Sequence, residues 1–115
     1  MFLPIQDIQL IKYITKKRKV KNPKKLYKIA IVGNKYFEPL PDKLPKNYKI
    51  LIENDFKNIH DKNALLVKYI INNDSVNIGF IPRERVNAFR KIKNKLNYLG
   101  IVRENNSIAI VGELK

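Results

Sequence analysis

Between Ala64 and Leu96 the hydrophobic period changes from two residues to three or four, and this change limits the folds open to the chain. Ala64 to Ile71 is apolar and rich in β-branched residues, the pattern of a buried strand. Asn72-Asn73-Asp74 supplies a hairpin turn signal. Ser75 to Ile81 then reads as the partner strand, with Val76, Ile78 and Phe80 expected on one face. Pro82 suits the first turn of a helix. Val86, Phe89, Ile92 and Leu96 follow at helical spacing, and Gly100 or its neighbours end that element.

The flanking sequence adds more strands. Tyr27, Ile29 and Ile31 alternate with Leu26, Lys28, Ala30 and Val32, and Gly33 closes this run. A loop with Pro39, Pro41 and Pro45 leads to a short strand over Lys49 to Glu53. Asn54 to Asn63 is polar and turn-like. Ile101 to Arg103 and Ser107 to Val111 read as final strands around an Asn105-Asn106 turn. The expected fold is mainly β with one or two helices, a small OB-like or SH3-like β-barrel of five or six strands. It occupies residues 26–115 as one domain. Residues 1–25 are expected to form a basic N-terminal arm or short helix, in which Ile5, Ile8, Leu10, Ile11 and Ile14 suit a helix or a strand. The basic run from Lys16 to Lys25, interrupted by Pro23, is either a solvated tail or a phosphate-contacting arm.

Composition narrows the partners. Twenty-four Lys and Arg against ten Asp and Glu give a formal net charge of +14. Such an excess repels itself in a compact fold, and it suits a polyanionic partner. The absence of cysteine excludes disulfides and thiolate metal sites, and a single histidine does not make a histidine-based zinc site. No apolar run reaches membrane-spanning length, and the N-terminus lacks the charge pattern of a secretory signal, so a cytoplasmic protein with no membrane partner is expected.

Three blocks carry a resemblance. They are Ile31-Val32-Gly33-Asn34-Lys35-Tyr36-Phe37, then Asn58-Ile59-His60-Asp61-Lys62-Asn63-Ala64-Leu65, then Ile78-Gly79-Phe80-Ile81-Pro82-Arg83-Glu84. In this order, with a helix after the third, the chain resembles the HIRAN domain found in helicase-like DNA-repair ATPases and as small bacterial proteins. The resemblance spans about Tyr27 to Val111. It implies a modified OB-like barrel that binds single-stranded DNA and captures its free 3′ end. It further implies that Tyr36 stacks on a base and Lys35 contacts the adjacent phosphate. Asp61 then accepts a hydrogen bond from the terminal 3′-hydroxyl, and Arg83 lies near the phosphates. His60 stands where the end-binding member has a second stacking tyrosine, and Ile59 replaces the usual proline. Asn58 and Phe37 complete the implied binding set. No cofactor is implied, and a helicase or nuclease acting in trans is the expected protein partner.

The residue chemistry fits such a role, and each residue also has a plainer one. An aromatic face recovers stacking lost by an unpaired base, and cations track phosphates. A fixed carboxylate accepts a terminal hydroxyl and repels a phosphate. Against this, Phe37 reads as a packing residue, Asn58 and Asn63 as turn-builders, and Asp61 as a possible turn cap. The other helix cations read mainly as a solvated face. Arg83 in a first helical turn opposes the dipole, which points toward a functional role. Two other classes stay open. A small basic phage or mobile-element protein would bind an acidic host protein. A metal-dependent nuclease would need Glu53, Asp55, Asp61 and Glu84 to gather around Mg²⁺, yet nothing orders them into a metal signature. There is no phosphate-cradling Gly-rich loop, and the expectation is a binding module without enzymatic activity.

Overall fold

The computed structural model describes residues 25–104 and 107–115. The amphipathic segment at Ile5–Ile14, most of the basic run, and the Asn105-Asn106 turn lie outside the described residues. Among the described residues six strands form: β1 (Leu26–Ile31), β2 (Lys49–Asn54), β3 (Leu65–Ile71), β4 (Asp74–Phe80), β5 (Leu96–Glu104) and β6 (Ser107–Leu114). One short helix, α1 (Val86–Ile92), lies between β4 and β5. The strands make two antiparallel three-stranded sheets, ordered β1-β6-β5 and β2-β3-β4. The two ladders do not close into a continuous ring; an isolated bridge between Val32 and Phe80 joins them.

Alternation decides which faces meet. Ile29 and Ile31 of β1, and Ile108 and Ile110 of β6, turn to the same interior as Ile52, Leu65, Val67, Tyr69 and Ile78 of the other sheet. Val86 and Phe89 of α1 and Ile81 join this core. Phe89 is fully buried, and truncating a core phenylalanine costs about 3–5 kcal/mol. A second, smaller apolar cluster of Leu26, Val102, Ala109 and Val111 occupies the other face of the β1-β6-β5 sheet. Tyr48 ties the proline-rich loop to β5 by accepting the Ile101 N–H at 2.8 Å, and its ring meets Tyr69 edge-on.

Two expectations are corrected and one is refined. Phe80 does not share a face with Val76 and Ile78. A bulge leaves Ile78 without an opposite partner, so Gly79 pairs with Val67 and Phe80 with Leu66. One extra residue inverts the alternation beyond it. Helical structure starts at Arg83, within two residues of Pro82 as expected, but as a 3-10 turn, Arg83–Arg85, held by the Arg85 N–H on the Pro82 carbonyl at 2.9 Å, and the α-helix follows only from Val86. Leu96 is not helical. It opens β5 opposite Leu114, and its side chain is buried in the core. An apolar residue four positions after Ile92 satisfies a helix and a strand equally, and pairing with β6 decides the outcome.

Candidate nucleic-acid interface

The three sequence blocks meet at one end of the molecule, and strand direction explains why. β2 ends where β3 begins, because Asn54 pairs with Leu65. β4 ends at the same place, because Phe80 pairs with Leu66 and the Ile81 N–H bonds to the Leu65 carbonyl at 3.1 Å. Val32, just past β1, closes on Phe80 through two backbone hydrogen bonds of 2.9 and 2.8 Å. The loop after β1, the β2–β3 loop and the turn into α1 therefore all leave from adjoining strand ends. Gly79 makes the seam possible. A Cβ there would lie 2.3 Å from Ile31 Cγ2 and 2.8 Å from the Val32 carbonyl oxygen.

On the first loop, Gly33 adopts a left-handed φ of 72° and leads into a 3-10 turn over Asn34–Tyr36. The Tyr36 N–H bonds to the Gly33 carbonyl and the Phe37 N–H to that of Asn34. Phe37 is half-buried with its ring 5.7 Å from that of Phe80, so it anchors the turn. Tyr36 is left 75% exposed, and the Lys35 ammonium stands 5.5 Å from its ring centroid. The turn thus presents an open aromatic face beside a cation.

The β2–β3 loop is a pair of linked turns. The Asp55 N–H bonds to the Ala64 carbonyl, and the Asn58 N–H to that of Asp55. Asn58 acts as a turn-builder: its Oδ1 accepts the N–H groups of His60 and Asp61 at 2.9 and 3.0 Å. Asp61 does two things. Its Oδ1 caps the next turn by accepting the Asn63 N–H at 2.9 Å, and its Oδ2 lies 3.9 Å from Arg83 Nε. The second and third blocks are therefore brought face to face. His60 is exposed on the same loop, and Arg83 is highly exposed at the start of its turn. An ionised carboxylate offers about four acceptor positions, so Asp61 has acceptor capacity beyond the Asn63 bond. Tyr36 and the Asp61–Arg83 pair are connected through the backbone of Phe80.

Two features escaped the sequence reading. Arg90 is not one of the purely solvated helix cations: it donates to the Asn63 carbonyl at 3.0 Å and fastens the loop to α1. Phe56 and Ile59 are 77% and 89% exposed on the β2–β3 loop. In a stretch that reads as a polar turn, Phe56 has no expected role and Ile59 figures only in place of a proline. A cavity of about 640 Å³ lies elsewhere, between residues 42–48 and β5. This half-open cleft is lined by none of the residues of the three blocks. Glu53 is ion-paired with Lys68. Among the described residues, no three His, Asp or Glu side chains gather as a metal site, and no helix is long and apolar enough to cross a membrane. No family model, curated protein or solved structure matches the chain.

Proposed function

We propose that this chain is a HIRAN-like module that binds single-stranded DNA at its free 3′ end, without catalysing a reaction. The observation that carries this reading is the convergence of the three blocks on one sheet end, with an open Tyr36–Lys35 face on one side of Phe80 and the Asp61–Arg83 pair on the other. In this reading the fold is a partly open OB-like barrel seamed at Val32–Phe80. Tyr36 stacks on a base, and Lys35 and Arg83 take the neighbouring phosphates. Asp61 Oδ2 accepts the terminal 3′-hydroxyl while Oδ1 keeps its turn bond. A strand phosphate competes for Arg83, which loosens a weak pairing and leaves the carboxylate oxygen to the hydroxyl. The net charge of +14 supplies the general attraction. A module of this kind serves a helicase or nuclease in trans, or shields a strand end.

The test compares a linear single strand ending in a 3′-hydroxyl, the same strand ending in a 3′-phosphate, and a circular strand with no end. A charge-assisted hydrogen bond contributes about 1.5–3 kcal/mol, so the hydroxyl end should bind at least tenfold tighter than the other two. Equal affinities would overturn end recognition. No binding to any strand near physiological salt would overturn the nucleic-acid reading and favour an acidic protein partner.

A further inference from the structure

Among the described residues five large apolar side chains are exposed: Val32, Tyr36, Leu51, Phe56 and Ile59. Four of them lie on the loops that meet at one sheet end, and only Leu51 sits within a strand. Isolated exposed hydrophobes are ordinary, whereas a grouped set marks a contact surface. The β2–β3 loop also repeats the chemistry of the first loop. Phe56 and Lys57 occupy the tip of the turn closed by the Asn58 N–H on the Asp55 carbonyl. This places an aromatic ring next to a lysine, as Tyr36 is placed next to Lys35. The tip is held from both sides: Asp55 bonds to Ala64, and Asn58 Oδ1 takes two backbone donors. A ring on a braced turn offers its face with little ordering cost on binding.

We infer that Phe56 is a second stacking platform, and that the site holds a run of several nucleotides between Tyr36 and Phe56. This deepens the strand-binding reading and rests on it. Val32, Phe80, Leu66 and Glu53 are neighbours on successive strands. The two loops are therefore separated by three interstrand steps of about 4.8 Å, or about 15 Å. That distance exceeds the ~3.4 Å rise of one stacked nucleotide, so one nucleotide does not bridge both rings. Basic side chains lie along the interval, with Arg83 between the loops and Lys57 at the far end. Ile59 lines the same loop and gives the bases an apolar flank.

The experiment is a length series of oligothymidines with free 3′-hydroxyls, from two to ten nucleotides, titrated into the full chain and into Phe56→Ala, Phe56→Trp and Tyr36→Ala. In the wild type, affinity rises with length until both rings are reached and then levels. Phe56→Ala leaves the dinucleotide unchanged and lowers affinity for the longer strands by about fivefold or more, the loss expected for one stacked base. Phe56→Trp restores it, and Tyr36→Ala weakens every length. Phe56 is exposed, so melting temperature should not move in its variants. Wild-type-like binding of Phe56→Ala at every length overturns the second platform and leaves the strand-binding reading standing. An equal loss at all lengths overturns the two-platform arrangement. A wild type that binds none of the strands overturns the underlying reading, and this inference with it.

Discussion

Replacing Gly79 by alanine should damage both stability and end recognition, because one added methyl strikes the seam between the sheets. The new Cβ would meet Ile31 Cγ2 at 2.3 Å and the Val32 carbonyl oxygen at 2.8 Å. Neither neighbour yields easily. Ile31 is buried and, being β-branched, is stiff at χ1. The Val32 oxygen is fixed by its 2.8 Å bond from the Phe80 N–H. Overpacking of this kind costs about 1–3 kcal/mol, and the two bridge hydrogen bonds contribute about 0.5–1.5 kcal/mol each. Alanine would also have to adopt the positive φ of 159° that Gly79 holds, which adds strain and cancels any gain from a stiffer unfolded chain. Overpacking and the two weakened bonds together give a loss of about 2–6 kcal/mol, which for a domain of this size lowers Tm by about 8–30 °C. Thermal unfolding followed by circular dichroism measures it. Gly112→Ala serves as the control, since the nearest atoms to its Cβ belong to the Leu96 side chain, at 3.3 Å or more. If Gly79→Ala melted within 2–3 °C of the wild type, the seam would be soft and the rigid link between the two halves of the site would be wrong.

Other outcomes follow from single contacts. Tyr36→Ala should cost about 1–3 kcal/mol of strand binding with Tm unchanged, as its ring is exposed; a collapse in Tm would make it a structural residue. Asp61→Asn keeps the Oδ1 cap on Asn63, removes the charge and adds a donor, so it should erase most of the preference for a 3′-hydroxyl over a 3′-phosphate in fluorescence anisotropy titrations. Burial pushes the Tyr98 phenol up to about 12, against about 10 in an unfolded chain. Its extra stability is therefore complete below pH 10 and is lost as pH rises toward 12. Tyr98→Phe loses the 2.7 Å bond to the Lys93 carbonyl and should be about 1 kcal/mol less stable at pH 8. That gap should narrow between pH 10 and 12 in denaturant titrations, and a constant gap would contradict the shift.

The strand content was legible because Leu26–Ile31 alternates with a period of two and Leu65–Ile71 is a continuous apolar run rich in β-branched residues. The β3–β4 hairpin was legible from its Asn72 turn, where asparagine tolerates the left-handed φ of 56°. Gly79 reads as permitting a bulge or close packing in its strand, and both occur there; that Ile78 is the residue left unpaired is decided by the partner strand. The β5 boundary was hidden for a related reason: Leu96 suits either period, and its partner Leu114 lies far along the chain. At the site, Asn58 and Asp61 were readable as turn chemistry. Their approach to Arg83 and Arg90 is tertiary, and no local signal carries it.

Charge and pocket should be separable by salt. The field of +14 acts at long range and weakens as the Debye length shrinks. Neutralising roughly four phosphates of a single strand gives a slope of log K against log salt near −3, at about −0.7 per phosphate. A 3′-phosphate carries about 1.5–2 extra negative charges, so at low salt the field favours the phosphate-ended strand and opposes the Asp61 preference. In the proposed role Asp61 would act over a few ångströms in a half-buried turn, where screening is weaker. Raising salt should therefore lower both affinities while increasing the ratio of hydroxyl-end to phosphate-end binding. In Asp61→Asn the short-range term is gone, and the ratio should only approach one as the field is screened. A wild-type ratio that fell toward one with salt would show that any end preference comes from the general field and not from the carboxylate.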